Sequence, residues 1–201
     1  MLSRFVKPLN LPDVPKSLWP DLDLFDNDAV TPAWSNRPRT ATKQGQVVGH
    51  SHYSRYDIDA SLKIWIHDNI AEDYKNIGLS RMWGQPVNLP HTDHTRDVTM
   101  LYLFDCGGSQ VYTKFWQRKG YPLHHDNQDP QYHYNHNQPD TYDDLDLVFS
   151  TVLQPFKWYM LDARCIHSVE GMTGGRVSLQ LGFMKTSTWA SEVMSDFAST
   201  T

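Results

Sequence analysis

Residues 174–184 read "GGRVSLQLGFM", and in an extended chain Val177, Leu179, Leu181 and Phe183 fall on one face while Arg176, Ser178 and Gln180 fall on the other. A period of two marks a β-strand with a buried apolar side, and the paired glycines before it mark the turn that delivers it. The second face is the unusual one, because it aims an arginine and a serine together at one side of a sheet. A guanidinium turned inward needs an anion. Its planar fork suits a carboxylate held by two parallel hydrogen bonds, with the serine hydroxyl as a further donor. Either an internal Asp or Glu or the carboxylate of a ligand would serve, and alternation alone does not choose between them.

Working outward, the chain from Gly78 onward is a series of short β-rich runs: about Leu79 to Val87, Val98 to Phe104, Gln110 to Trp116, Val148 to Leu153, Trp158 to Leu161 and Arg176 to Met184. Gly, Pro, Asn and Asp separate them, with turn signals at Gly107-Gly108 and Gly174-Gly175, and no helical pattern intervenes. The reading is a mostly β protein, an antiparallel sandwich or small barrel. Before it, Leu62, Trp65, Ile66, Ile70 and Tyr74 recur at helical spacing and predict one supporting helix over residues 57–77, with Asp57 or Asp59 at its start. Residues 1–49 hold Pro8, Pro12, Pro15, Pro20, Pro32 and Pro38, which break any long helix and suggest a wrapping arm. Residues 118–146 form a polar insertion rich in His and Tyr. The chain of 201 residues suits a single domain, with the β core at 79–185.

Bulk chemistry narrows the partners. A formal net charge of -5 disfavours a protein that coats phosphate backbones, so nucleic acid is not an expected partner. Two cysteines, Cys106 and Cys165, match neither a disulfide framework nor a zinc site. The N-terminus "MLSRFVKPLNLPDVP" lacks the apolar core of a signal peptide, and nothing later approaches the roughly 18 apolar residues of a membrane span. The expectation is a soluble, intracellular, cytoplasmic protein with no membrane partner. Oligomeric state is not legible.

The other informative stretch is "PHTDH", Pro90 to His94. If it is extended, His91 and Asp93 project from one face and Thr92 and His94 from the other, which favours His91 over His94 as a ligand. One imidazole and one carboxylate then face a common centre. A second histidine would complete the facial triad of two His and one carboxylate that leaves open positions on an octahedral iron, and His167 in "DARCIHSVEG" is the best candidate, at a strand end. The insertion histidines His124, His125, His133 and His136 lack regular spacing and read as a solvated loop rather than a second metal site. Folded over a barrel mouth, that loop would be a lid or a set of substrate contacts.

His91-x-Asp93, then His167, then Arg176 nine positions later in an Arg-x-Ser pattern resembles the iron(II)- and 2-oxoglutarate-dependent dioxygenases, in particular their prolyl-hydroxylase-like branch. The flanking text "HTDHTRDVTMLYLFDCGGSQVYTKF" and "KWYMLDARCIHSVEGMTGGRVSLQLGF" is similar to that family's metal turn, long strand, Gly-Gly turn, distal histidine and oxoglutarate strand. The resemblance implies a double-stranded β-helix, a jelly-roll or cupin-like barrel, carrying the N-terminal arm and supporting helix outside. It implies Fe(II) on His91, Asp93 and His167, the distal carboxylate of 2-oxoglutarate on Arg176 and Ser178, and O2 as second co-substrate. It suggests Tyr102 as a further co-substrate contact, the alternative being a plain core tyrosine, and Trp83 and Gln85 as pocket lining. Asp93 stands where halogenating relatives have a small residue, so hydroxylation of an amino acid, a peptidyl side chain or another small molecule is the implied reaction. Two other readings fit the same barrel: a noncatalytic binding or structural module, and a cupin-type metalloenzyme without 2-oxoglutarate, which would have no need of Arg176 as an anchor.

Overall fold

The computed structural model describes residues 4–26, 32–35, 39–43, 46–85, 87–93, 95–123, 134, 142–184 and 187. Eight strands form the core: β5 (Asn76–Gln85), β6 (Val87–His91), β7 (Val98–Cys106), β8 (Tyr112–Arg118), β9 (Leu145–Val152), β10 (Trp158–Asp162), β11 (Ile166–Glu170) and β12 (Arg176–Phe183). They fall into two antiparallel sheets, β10-β7-β12-β5 and β6-β11-β8-β9, and the chain passes from one sheet to the other at every step except β8 to β9. That interleaving is the double-stranded β-helix, so the fold is mostly β and a jelly roll. The larger sheet is extended by β1 (Val6–Leu9) beyond β10 and, past β5, by β4 (Gln46–Tyr56), which pairs with both β2 (Trp34–Ser35) and β3 (Arg39–Lys43).

The alternation of β12 is realised as a division of labour between its two faces. Val177, Leu179, Leu181 and Phe183 join Met100, Tyr102, Phe104 and Trp158 in an apolar layer on the outside of the larger sheet, covered by Leu62 and Ile66 of helix α2 (Ala60–Asn69). Each fully buried aliphatic side chain there contributes about 1.5–3 kcal/mol. Between the sheets the filling is patchy: Leu101, Leu103, Phe115, Leu153, Leu161 and Cys165 make one apolar cluster, and Met82, Val111, Val169 and Met172 another. Arg176, Ser178 and Gln180 lie on this inner side, each under 9% exposed.

Two expectations need correction. The helix is shorter than 57–77, because Asn69 bonds the Trp65 carbonyl through Nδ2 at 2.8 Å, Ile70 leaves helical angles at φ -121, and Lys75 N–H already joins Gly182 of the neighbouring strand. Tyr74 therefore follows the helix. The arm 1–49 is not merely wrapping, since β1 pairs along β10 and the strand β4 begins within it. Its proline-rich part does wrap: Trp158 Nε1 donates to Pro12 O at 2.8 Å, and Trp19 stacks on Phe156 at 4.6 Å. Among the described residues no helix is long and apolar enough to cross a membrane.

Candidate metal and co-substrate site

Strands β6 and β11 are neighbours, and their register sets His91 directly opposite His167, with ring centroids 4.5 Å apart. His167 is the second residue of β11, so it stands near a strand end, on the strand next to that of His91. The chain after His91 is held as a tight turn from both sides. Thr92 N–H donates to Tyr134 O at 3.0 Å and Tyr134 N–H to Thr92 Oγ1 at 3.2 Å, while Asp93 N–H donates to Ala163 O at 3.2 Å. The result brings one ligand atom each from His91, Asp93 and His167 within 4.8 Å of one another.

The hydrogen bonds around these three side chains dictate their chemical state. His91 Nδ1 lies 2.7 Å from Leu89 O, and His167 Nδ1 lies 2.9 Å from Cys165 O. A carbonyl oxygen only accepts, so both Nδ1 atoms carry a proton, which turns the two Nε2 atoms toward the shared centre as the nitrogens that would coordinate. His167 is held neutral: burial, then the neighbouring His91, lowers its pKa to about 4. For Asp93 burial pushes the pKa up, but the Arg96 guanidinium outweighs it, with help from the two histidines, and holds the carboxyl well below the usual range. Arg96 Nε donates to Asp93 Oδ2 at 2.7 Å and Thr99 Oγ1 donates to the same oxygen at 3.2 Å, which leaves Oδ1 on the side of His91 Nε2 at 3.6 Å. Two imidazole nitrogens and one carboxylate oxygen converge on a common centre, a donor set that fits a divalent metal such as Fe(II).

Deeper in the barrel, Arg176 is 3% exposed and makes neither a salt bridge nor a hydrogen bond to any described residue; its Nε is buried without a partner. Burial lowers its pKa to about 10, with only a small opposing contribution from Cys106. Thr113 Oγ1, on the inner face of β8, is a second buried polar atom without a partner. Next to Arg176 along the strand, Gln180 organises the serines. Its Oε1 accepts from Arg96 Nη1 and Nη2 and from Tyr53 OH, each at 3.5 Å, so its Nε2 is the end that donates to Ser80 Oγ at 2.8 Å and Ser178 Oγ at 3.3 Å. Ser80 and Ser178 are 2.8 Å apart; with Ser80 donating, the Ser178 proton is left for a ligand.

The six residues singled out from the sequence therefore divide. His91, Asp93 and His167 are brought together, and Arg176 and Ser178 lie on the inner face of the opposite sheet. Tyr102 does not: it pairs in register with Leu179, is 0% exposed, and packs on Phe104 and Trp158 in the outer apolar layer. The correction follows from alternation, since Leu101 and Leu103 take the inward positions of β7. Trp83 likewise leaves the pocket, lying against His52 and Arg81 on the side opposite Met82. The side chain of Gln85 and residues His94, His124, His125, His133 and His136 lie outside what the structure describes. Arg96, Thr99, Ser80 and Gln180 were not found from sequence. Arg96 had one signal, a cation three positions after the carboxylate.

No protein-family model matches the sequence, and no curated protein does. Two solved structures are similar over 98% of this chain: one described as the X-ray structure of E. coli ycfD, at 13% identity and TM-score 0.49, and one as the crystal structure of Escherichia coli ribosomal oxygenase YcfD, at 12% identity and TM-score 0.45. The chain spans about half the length of these structures, 53% and 50%.

Proposed function

We propose that the chain is a non-haem Fe(II)- and 2-oxoglutarate-dependent oxygenase that hydroxylates an amino acid, a peptidyl side chain or another small molecule. The observation that carries the reading is the pairing of a His91/Asp93/His167 donor set with a buried Arg176 that meets no carboxylate among the described residues of the same barrel. In such a site bound Fe(II) supplies the oxidation, in which O2 converts 2-oxoglutarate to succinate and carbon dioxide and delivers its second oxygen atom to a substrate C–H bond.

The protein's own part is binding and orientation. His91 and His167 present Nε2 because carbonyls hold Nδ1–H, and Asp93 offers Oδ1 because Arg96 and Thr99 occupy Oδ2. Arg176 would take the distal carboxylate through its fork, and Ser178 would add the proton that Gln180 and Ser80 leave free. Such a charge pair, formed where water is excluded, fixes the length and direction along which the oxo-acid end reaches the metal.

The test is anaerobic addition of Fe(II) and 2-oxoglutarate followed by oxygen. A weak visible charge-transfer band that needs both additions, then succinate on aeration, is the expected result, and His91→Ala loses the band. A wild-type protein that shows neither band nor succinate sinks the proposal.

A further inference from the structure

A third arginine starts from the inner face of the larger sheet and reaches Asn76, which with Arg96 flanks Gly182. The register of β4 on β5 and of β5 on β12 puts Arg55, Ser80 and Ser178 in one cross-strand row, so Arg55 starts from the inner face. Its side chain then runs along the barrel wall, with Nη2 donating to Asn76 Oδ1 at 3.1 Å. The wall there is bare by necessity. A Cβ on Gly78 would stand 2.7 Å from Arg55 Nε, and a Cβ on Gly182 would stand 2.8 Å from both Arg96 Cδ and Asn76 Oδ1. Two glycines thus leave room for the side chains of Arg55, Arg96 and Asn76, and Arg96 is bonded to the carboxylate of Asp93 in the metal group.

The two differ in what neutralises them. Arg96 has Asp93; the hydrogen-bond partner of Arg55 among the described residues is a neutral amide oxygen, and no described carboxylate pairs with it. Taken with a divalent metal, a dianionic co-substrate, Asp93, Arg96 and Arg176, the cavity keeps an excess of positive charge at the end where a substrate must arrive. One free guanidinium edge satisfies two oxygens in a plane, as a carboxylate presents, whereas a phosphate monoester brings three oxygens and nearly two charges. We infer that the primary substrate of this site carries a carboxylate and that Arg55 is its anchor. This rests on the oxygenase reading above and deepens it.

The experiment uses protein loaded with 2-oxoglutarate and either Fe(II) or the oxygen-stable Mn(II). Free L-amino acids and short aliphatic acids are each compared with their primary amides, and with a set of phosphate monoesters. Binding to the Mn(II) form is measured by calorimetry, and the shift of the charge-transfer band is followed in the anaerobic Fe(II) form. Expected is binding, with a band shift, by one or more acids and not by the matching amides. Arg55→Gln should weaken that binding about tenfold or more and Arg55→Lys less, with co-substrate affinity within about twofold of wild type in both. Acid and amide binding equally, a response confined to phosphate esters, no acid binding while the band forms normally, or acid affinity unchanged in Arg55→Gln would each overturn the inference and leave the iron reading intact. Failure of the band to form at all removes both.

Discussion

Arg96 and Arg176 are both largely buried, and their surroundings are opposite. Arg96 is 12% exposed and meets Asp93 at 2.7 Å; burial alone would depress its pKa, but the carboxylate overrides this and raises it. Arg176 is 3% exposed with no carboxylate among the described residues, and burial brings its pKa down to about 10. A buried charge without a counter-ion destabilises a fold, so a domain keeps one only where something else supplies the partner. On the proposed reading, the contrast separates an arginine that belongs to the fold, where it holds Asp93, from one that a ligand would complete.

Substitution should therefore act with opposite signs on the two. Arg96→Met strands the buried Asp93 carboxylate, and we expect a loss of roughly 3–5 kcal/mol in urea unfolding and about 10–100-fold in Mn(II) affinity. The second effect belongs to the metal group as a whole. His167 has a folded pKa of about 4 against an ordinary 6.5, so the unfolded chain takes up the proton first. Its contribution is complete above pH 6.5 and lost as pH falls through about 4, on the order of 3 kcal/mol across that window, readable as the slope of metal-free stability against pH. Arg176→Met goes the other way from Arg96→Met: the metal-free, ligand-free protein should gain about 1–3 kcal/mol, a rise of several degrees in Tm by calorimetry. A fall in Tm of that size would mean that Arg176 is already paired within the fold. The smallest effect is expected at Tyr102, where Tyr102→Phe should change 2-oxoglutarate affinity by less than about twofold, because its ring lies in the outer layer.

Much of this was legible in the sequence wherever a strand has one apolar face. The alternation of residues 176–183 gave away both the strand and the inward arginine, and the same rule marked Tyr102 as a member of the row Val98, Met100 and Phe104, which is where it sits. The family resemblance argued against that rule, and the local physics held. Strand β4 was missed because "HSHYSRY", residues 50–56, has polar groups on both faces: on the inner side Tyr53 bonds Gln180 and Arg55 bonds Asn76. Strand β11 was missed for a related reason, since Ser168 on its outer face is buried by bonding to Trp116 Nε1 and Glu170. His91 and Asp93 were readable because residue type at a spacing of two carries their chemistry, and His167, 74 positions after Asp93, was reached through the ordered family resemblance. The support of that triad was not legible, because Arg96 to Gln180 and Gln180 to Ser80 join residues 84 and 100 positions apart, and only the folded barrel brings them together.

The claim that Arg176 waits for the distal carboxylate of 2-oxoglutarate is tested most directly by one calorimetric comparison on the Mn(II)-loaded protein. It sets 2-oxoglutarate against 2-oxopentanoate, which has the same chain length and metal-binding end but ends in a methyl group. The account predicts 2-oxoglutarate to bind about 100-fold tighter or more in the wild type, with the gap collapsing in Arg176→Met. Equal affinities for the two acids in the wild-type protein would contradict it.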